Sequence, residues 1–475
     1  MKICMVAEGC YPYVVGGVSG WIHSMIKAFP QHEFIILAII SDRKQSGKFQ
    51  YEMPDNVSAV YEAYLNDVDW SKGKHKKIKL DKKQYRALQS VILGYKTDWD
   101  TLFAMCQKKE FSIDALLMGE DFFHVVEECY EAKYSQIVFS DFLWTMRSIY
   151  LPLFLILHTK IPRADVYHCV ATGYAGVLGG MAGYLYHCGL LVSEHGIYTR
   201  EREEEILKAS WVSGIYKDIW IEQFKKMSRL AYDRADAVTA LYGHARKLQT
   251  ELGCDISITH VTPNGIDVDS FANIPGKQPG DEGFINIGAV LRVTPIKDVK
   301  TMIRAFAFAA ERVPNLKLWI MGPADEDKKY AKECYDLVKQ MELQNIIFTG
   351  RVDIQKYMEK LDFTILTSIS EGQPLSVLES MAARRPCVCT DVGCCRELLE
   401  GKQGDPFGLA GYCVPPMYRE GLADAMEKMC LSRNRRLRMG ESGRKRVEKY
   451  FRHEYMMEKY RKLYREVEEI GRNRI

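Results

Sequence analysis

Short apolar runs rich in β-branched residues alternate with helix-length stretches along most of this 475-residue chain. The strands predicted from these runs cover residues 2–7, 34–40, 166–168, 189–193 and 237–240 in the first half, and 284–287, 317–321, 346–349, 363–366 and 387–390 in the second. Strands that alternate with helices in this way predict parallel, doubly wound sheets of the α/β class. A stretch with two prolines and three glycines at 271–283 is typical of a linker. The chain is therefore expected to form two Rossmann-like halves.

Two segments do not follow this rhythm. Residues 66–150 are polar and helical in period, which predicts a helical insertion in the first half. Their basic run at 72–79 is typical of a solvated loop, although an acceptor or membrane contact also fits it. Beyond residue 445, apolar residues recur at spacings of three and four, which predicts one or two amphipathic helices. The domains expected from these patterns are 1–268, 269–445, and helices at 446–475 that pack across both.

Composition excludes several classes of protein. Lys and Arg total 65 against 62 for Asp and Glu, so a nucleic-acid partner is not expected. Residues 169–193 contain no charged side chain, yet their glycines favour a loop, a small-residue helix and a buried strand over a membrane span. The fourteen cysteines include no C-x-x-C pair and the N-terminus has no long apolar stretch of a signal peptide. We expect reduced thiols that pack as apolar residues, with a regulatory pair or a metal site as alternatives.

The most specific pattern for chemistry lies at 370–379, after the apolar strand at 363–366. Glu371 and Glu379 are eight residues apart, which puts the first before a predicted helix and the second about two turns inside it. Gly372 allows close approach of the backbone, and the unpaired N–H groups of a helix N-terminus attract anions. Two such carboxylates could hold different hydroxyl groups of a bound nucleotide sugar, although a loop acid and a surface helix acid would give the same spacing.

Cations follow the first strand of the second half. Arg292 and Lys297 lie where a parallel strand ends, the edge at which open α/β sheets bind ligands. An arginine fork and a lysine point charge suit a diphosphate, although surface loops also carry such charges.

Two motifs in the first half also follow predicted strands. Gly16 and Gly17 precede a helix and would let a phosphate approach the backbone, but their loop matches neither G-x-G-x-x-G nor Walker A. The fingerprints of nicotinamide and ATP sites are thus absent. His195 comes directly after the apolar run at 189–193, which predicts a functional position at a sheet edge.

Together these patterns resemble the retaining glycosyltransferases of the GT-B fold in glycosyltransferase family 4, over nearly the whole chain. The E-x7-E acids, the Arg/Lys pair, the Gly-Gly loop and the Asn-Gly-Ile-Asp turn at 264–267 occur in family order. The motifs at 195–202 and 390–397 and the long insertion are narrower, and they resemble the PelF branch, the cytoplasmic glycosyltransferases of Pel exopolysaccharide synthesis. Leu291 departs from the family where a glycine commonly precedes the arginine, and so do Arg384 and Arg385 before Pro386.

The resemblance implies two Rossmann-like domains that face a cleft, and it assigns roles to residues. Arg292 and Lys297 would bind the donor diphosphate, and Glu379 would bind the ribose hydroxyls. Glu371 would hold donor-sugar hydroxyls, with His195 near the reacting centre. Other implied donor-site residues are Gly16, Gly17, Arg351 at the uracil, Gly372, Gln373, Pro374 and Leu375. Tyr198 and Arg200 would lie on the acceptor side.

The function implied is retaining transfer of a hexosyl unit from a UDP-sugar to a growing polysaccharide, in exopolysaccharide biosynthesis. UDP-glucose is the expected donor, with a UDP-N-acetylhexosamine as second choice, and no metal or other cofactor is expected. D-x-D patterns at 67–69 and 267–269 leave a metal-dependent alternative. A UDP-sugar 2-epimerase, which shares the fold, and a non-catalytic UDP-sugar-binding subunit are further alternatives. The implied location is cytoplasmic, peripheral at the inner face of the membrane, with a membrane-embedded synthase complex as partner.

Overall fold

The computed structural model describes residues 1–67, 78–94, 96–277 and 283–474. Most of the basic run at 72–79 and two residues of the D-x-D pattern at 67–69 lie outside the described residues. The chain forms two compact units. The amino-terminal unit comprises Met1–Val261 and Lys459–Ile475, and the carboxyl-terminal unit comprises Thr262–Glu458.

The amino-terminal unit contains a parallel sheet with the strand order β3-β2-β1-β4-β5-β6-β7 in the described residues. Its strands are β1 (Lys2–Glu8), β2 (Glu33–Ile40), β3 (Val57–Tyr64), β4 (Val166–Cys169), β5 (Gly189–Glu194), β6 (Ala237–Ala240) and β7 (Thr259–Val261). Apart from Glu33, β2 is apolar and buried throughout, as a parallel strand covered on both faces requires. The five predicted strands are confirmed to within one residue, whereas β3 and β7 were not predicted.

Ten α-helices accompany this sheet in the described residues of 1–261. They are α1 (Gly17–Ala28), α2 (Lys82–Leu93), α3 (Trp99–Cys106), α4 (Ile113–Leu117), α5 (Glu120–Cys129), α6 (Phe139–Leu157), α7 (Tyr174–Tyr186), α8 (Tyr198–Lys208), α9 (Ile215–Arg234) and α10 (Gly243–Glu251). Helices α2–α6 form the long insertion between β3 and β4. The capping box of Asp81 and Gln84 fixes the start of α2. The apolar faces of these helices pack into the same core as the sheet.

The uncharged segment 169–193 forms the predicted loop, glycine-rich helix α7 and buried strand β5. A Cβ atom on Gly176 would lie 2.5 Å from the Cβ of Ala231 on α9, and one on Gly179 would lie 2.5 Å from the Cys169 Sγ. Glycine at these two positions therefore lets α7 approach both its neighbouring helix and the sheet. Among the described residues, no helix is long and apolar enough to cross a membrane.

The carboxyl-terminal unit has its own parallel sheet, ordered β10-β9-β8-β11-β12-β13 in the described residues. The strands are β8 (Ile285–Val290), β9 (Leu316–Met321), β10 (Ile346–Gly350), β11 (Phe363–Leu366), β12 (Cys387–Thr390) and β13 (Gly411–Val414). All five predicted strands are present, although β8 extends three residues beyond its predicted end. The short β13 was not predicted. A second core packs against this sheet.

Eight α-helices are assigned within described residues 283–474. They are α11 (Val299–Arg312), α12 (Lys328–Gln340), α13 (Ile354–Met358), α14 (Leu375–Ala382), α15 (Cys395–Glu400), α16 (Arg419–Cys430), α17 (Arg433–Tyr450) and α18 (His453–Arg472). The amphipathic pattern near the C-terminus is confirmed by α17 and α18. Helix α18 begins in the carboxyl-terminal unit and continues into the amino-terminal unit from Lys459.

The second part of α18 contributes to the interior of the amino-terminal unit. The Tyr464 hydroxyl lies 2.8 Å from Nδ1 of His168, and the Tyr460 hydroxyl lies 3.2 Å from the Ser193 hydroxyl. All four side chains are buried. Trp21 packs edge-on against Tyr460 at a ring-centroid distance of 5.4 Å. This part of α18 is thus a component of the core.

All fourteen cysteines are free thiols, and eleven of them are buried. Burial raises the pKa of thiols such as Cys106 and Cys169 because the apolar interior disfavours the thiolate. They pack as small apolar residues, in agreement with the sequence-based expectation.

Candidate active site

The carboxyl ends of β8 and β11 lie side by side in the centre of the second sheet, and the loops that follow them carry the predicted cations and acids. The side chain of Lys297 donates to Oε1 of Glu371 at 2.5 Å. Both are largely buried, with 18% and 12% of their side chains exposed. The fold therefore brings together two predicted site residues that are 74 positions apart.

Two residues that were not predicted hold this ion pair in place. The Ser368 hydroxyl donates to the same Oε1 of Glu371 at 2.5 Å. The Thr367 hydroxyl donates to the backbone carbonyl of Lys297 at 2.9 Å. Both side chains are fully buried directly after β11. Their only signal in the sequence is that hydroxyl residues follow an apolar strand three and four positions before an acid.

Arg292 takes a different partner. Its guanidinium donates to both carboxylate oxygens of Glu326, at 2.5 and 2.7 Å, in the loop that follows β9. Arg292 and Lys297 thus follow the same strand but pair with acids from different loops. The Arg292 side chain is 38% exposed, so water screens this pair and leaves it exchangeable.

The family departure at Leu291 has a structural explanation. Leu291 is buried, and its N–H donates to the carbonyl of Met321 at 3.0 Å. Gly322 has a φ of +146°, and a Cβ on it would lie 1.9 Å from the Leu291 carbonyl oxygen. A glycine on the neighbouring loop therefore supplies the close approach that shapes the backbone before Arg292.

The other departure, at Arg384 and Arg385, is structural as well. Arg385 is buried and donates to the carbonyls of Met358, Ala383 and Pro275 at 2.9–3.0 Å. Arg384 pairs with Glu441 at 3.1 Å. Neither arginine points to a role in ligand binding.

Helix α14 begins directly after the acidic loop. Pro374 is its N-cap, and no side chain of the described residues caps its start, so the N–H groups of Leu375 and Ser376 remain available to an anion. Gln373 is buried and accepts a hydrogen bond from the backbone N–H of Asn264 at 2.6 Å. Gly372 and Leu375 flank these residues in the same turn.

Glu379 lies on α14, about one turn inside the helix and not two as predicted, because the helix begins only at Leu375. Its carboxylate has no hydrogen-bond or ion-pair partner within the described residues. Burial raises the pKa of Glu379 from 4.5 to about 7, because the site disfavours the charged form. A half-buried acid with a raised pKa at a ligand-binding edge is typical of a functional group.

Arg351 is exposed directly after β10. Two strands of the sheet order, β9 and β8, separate this position from the Glu371 loop. The structure therefore does not bring Arg351 into contact with the ion pair of Lys297 and Glu371.

In the amino-terminal unit, Gly16 is the N-cap of α1 and Gly17 is its first residue. A Cβ on either glycine would meet no atom of the described residues within 4 Å. Packing therefore does not demand glycine at these two positions.

His195 directly follows β5, as predicted. Its ring packs edge-on against Trp21 with centroids 4.4 Å apart, and its Nε2 atom is buried without a hydrogen-bond partner in the described chain. Burial lowers the pKa of His195 to about 4, so the ring is neutral at neutral pH. A neutral imidazole can donate from one nitrogen and accept at the other.

Tyr198 and Arg200 differ in their surroundings. Tyr198 is buried and its hydroxyl donates to Glu8 at 2.8 Å, whereas Arg200 is exposed. Burial raises the pKa of Glu8 and of Glu194, the last residues of β1 and β5. Glu194 accepts from the hydroxyl of Tyr232 at 2.6 Å. These two acids were not predicted, although an acid that ends an apolar strand is a usable signal.

The two acids of the D-x-D pattern at 267–269 form contacts within the protein. Asp267 accepts from the backbone N–H of Ser270 at 3.1 Å, and Asp269 pairs with Arg452 at 3.0 Å. Among the described residues, no three His, Cys, Asp or Glu side chains come together in a metal-binding group.

Comparisons with known proteins agree with this architecture. Residues 1–257 match the family described as "Domain of unknown function (DUF3492)", and residues 270–446 match "Glycosyl transferases group 1". The α-maltose-1-phosphate synthase of Mycolicibacterium smegmatis is 26% identical over 318 residues, which cover 62% of this chain and 78% of that protein. The N-acetyl-α-D-glucosaminyl L-malate synthase of Bacillus anthracis is 28% identical over 174 residues, 36% of this chain and 43% of that protein.

Solved structures are similar in fold. Anabaena HepE in complex with UDP and glucose has a TM-score of 0.62 and 15% identity, with 98% of this chain and 99% of that chain covered. The sucrose-phosphate synthase of Thermosynechococcus elongatus has a TM-score of 0.62 and 14% identity, with 98% of each chain covered.

Two Rossmann-like parallel sheets, with a glycosyl transferases group 1 match over the second, define a glycosyltransferase of the GT-B class that is similar to family 4. The chain belongs to the DUF3492 family, whose match covers more than half of its length.

Proposed function

We propose that this chain is a retaining glycosyltransferase that transfers a hexosyl unit from a UDP-sugar to a growing polysaccharide, without a metal ion. The observation that carries the proposal is the buried ion pair of Lys297 and Glu371, beside the uncapped N-terminus of α14. This arrangement offers a cation and free N–H groups to a diphosphate, and a carboxylate to sugar hydroxyls. The UDP and glucose bound in the HepE structure support UDP-glucose as the donor to test first.

The charged residues of the candidate site bind either the diphosphate or the donor sugar in this proposal. Departure of UDP develops negative charge, which Lys297, Arg292 and the α14 N–H groups would stabilise electrostatically. Arg292 would exchange Glu326 for a phosphate oxygen, since its present pair is exposed to solvent. Glu371, fixed by Ser368, would accept hydrogen bonds from donor-sugar hydroxyls.

The remaining donor-site roles follow the family resemblance. Glu379 would bind the ribose hydroxyls, since its half-buried carboxylate has acceptors that no described residue uses. The roles of Gly16, Gly17, His195 and Arg351 in donor binding stay predictions, as does a role for Arg200 with the acceptor. Tyr198 needs its hydroxyl for Glu8, which favours a supporting role over direct contact with an acceptor.

The biological setting is a further part of the proposal. The motifs at 195–202 and 390–397 and the helical insertion resemble the PelF branch, which supports a role in exopolysaccharide biosynthesis. We propose a cytoplasmic enzyme that works with a membrane-embedded synthase complex at the inner face of the membrane.

The proposal is tested by replacing Lys297 with methionine and measuring UDP release from UDP-glucose with an oligosaccharide acceptor. A Lys297→Met variant should lose about 10²–10³ in kcat/KM, the typical effect of removing one group that stabilises transition-state charge. Lys300→Met is the matched control, because Lys300 forms a comparable 2.5 Å pair with Glu333 on the same unit.

The control should keep kcat/KM within about twofold, since a partly exposed ion pair contributes little. Equal activity of Lys297→Met and the wild type would overturn the proposal. NMR of the product reads the anomeric configuration, and an inverted product would contradict retention. An epimerised UDP-sugar formed without acceptor would indicate the epimerase instead.

A further inference from the structure

The end of β12 and the loop that follows it lie directly against the loop that carries Glu371. The Thr390 hydroxyl donates to the backbone carbonyl of Ser368 at 2.6 Å. The Cys394 N–H donates to the backbone carbonyl of Gly372 at 3.1 Å. These hydrogen bonds hold the Glu371 loop on both sides of the carboxylate. The motif at 390–397 supplies none of the groups that bind the donor in the proposed function.

Gly393 makes this approach possible. Its φ is +56°, in the left-handed region that favours glycine. A Cβ on Gly393 would lie 2.2 Å from the carbonyl oxygen of Gly372 and 2.3 Å from that of Glu371. Both atoms belong to the backbone and cannot rotate away as a flexible side chain could. Any side chain at position 393 would therefore push the Glu371 loop out of place.

We infer that Thr390 and Gly393 are positioning residues for donor binding, which act through the backbone around Glu371. Thr390 is fully buried and fixes Ser368, whose own hydroxyl orients the Glu371 carboxylate. Gly393 sets the spacing at the other side of Glu371. The inference rests on the proposed role of Glu371 with the donor sugar. Sugar-holding carboxylates need such support, because small displacements from productive geometry cost rate and affinity.

The first test compares Gly393→Ala with Gly404→Ala. Gly404 also has a left-handed φ, +85°, but a Cβ there would meet nothing within 4 Å. Both substitutions thus place alanine in a left-handed backbone conformation. Only Gly393→Ala also brings a Cβ against the backbone of the Glu371 loop. We expect Gly393→Ala to raise the Kd for UDP-glucose about tenfold or more, because a tenfold change corresponds to the loss of one hydrogen bond. The Kd for UDP should stay within about twofold of the wild-type value. Gly404→Ala should change neither Kd.

A second pair of variants tests the inference at Thr390, in case Gly393→Ala fails to fold. Thr390→Val removes the hydroxyl and Thr390→Ser keeps it. Valine should produce the same selective loss for UDP-glucose, and serine should restore binding. A merely structural role would lower thermal stability and weaken UDP and UDP-glucose alike, and that result would overturn the inference.

Glu371→Gln, measured in parallel, separates this inference from the proposed function. A normal Kd for UDP-glucose in Glu371→Gln would overturn both. Weakened binding in Glu371→Gln with normal binding in Gly393→Ala and Thr390→Val would overturn the positioning role and leave the proposed function intact.

Discussion

Glutamine at position 379 should stabilise the unliganded chain at high pH, because Glu379 is a half-buried acid without a partner in the described part of the chain. The pKa of Glu379 rises from 4.5 to about 7 on folding, owing to burial. The folded state therefore binds this proton more tightly than the unfolded state does. The contribution of this group to stability is largest below pH 4.5, is lost as the pH rises towards 7, and stays at the lower level above it.

The size of the effect follows from the two pKa values. A separation of 2.5 units is the difference between about 7 and 4.5, and it limits the loss to about 3.4 kcal/mol. Between pH 5 and pH 8 the linkage relation gives a loss of about 2.5 kcal/mol from this group alone. Glu379→Gln does not titrate, so the variant escapes this loss.

Urea denaturation at pH 5 and pH 8 measures the effect. The free energy of unfolding of Glu379→Gln, relative to the wild type, should be about 2.5 kcal/mol more favourable at pH 8 than at pH 5. All other titrating groups are common to both proteins and cancel in the comparison. Glu311→Gln, at an exposed position of α11, is the control and should show no such change.

An identical difference at both pH values would refute the argument, since it would mean that Glu379 ionises as easily in the folded chain as in the unfolded one. The same variant should bind UDP more weakly at pH 8, where only the wild type offers a carboxylate to ribose hydroxyls. Gained stability with lost binding is the usual consequence of replacing a functional group that destabilises the fold.

Three further substitutions test the packing inside each unit, with urea denaturation as the measurement. Arg446→Met should cost about 3–5 kcal/mol, because it leaves Asp405 buried without the guanidinium that now pairs with it at 2.8 Å; a loss below about 1 kcal/mol would contradict this. Gly189→Ala should cost about 1–3 kcal/mol, because the new Cβ would lie 2.2 Å from the Val467 carbonyl oxygen, and wild-type stability would show that α18 can shift freely. Gly183→Ala, in α7 with nothing within 4 Å of the new Cβ, should instead gain about 0.5–1 kcal/mol, and a loss would contradict the open space seen there.

Most of the fold could be predicted because its signals are local. Buried parallel strands such as β2 and β5 are nearly continuous apolar runs. Such runs can be recognised in the sequence without knowledge of the neighbouring strands. The strands that were missed lack this signal. β3 is half-exposed with polar residues among its apolar ones, and β13 has four residues that begin with glycine.

The candidate site was only partly readable. Lys297 and Glu371 lie in recognisable motifs, but their pairing depends on the tertiary structure, because 74 positions separate them. Ser368 and Glu326 were missed because a serine after a strand and a glutamate in an acidic loop are common in any sequence. The depth of Glu379 in α14 was misjudged because Pro374 delays the start of the helix.

The division of α18 between the two units has a consequence for synthesis. Tyr460 and Tyr464 belong to the core of the amino-terminal unit, with His168 and Ser193 as partners. Until the residues after 458 have been made, His168 and Ser193 therefore lack the tyrosine hydroxyls that contact them in the native state. The second unit, by contrast, is already contiguous. The native packing of the amino-terminal unit is therefore completed only after the second part of α18 has been synthesised.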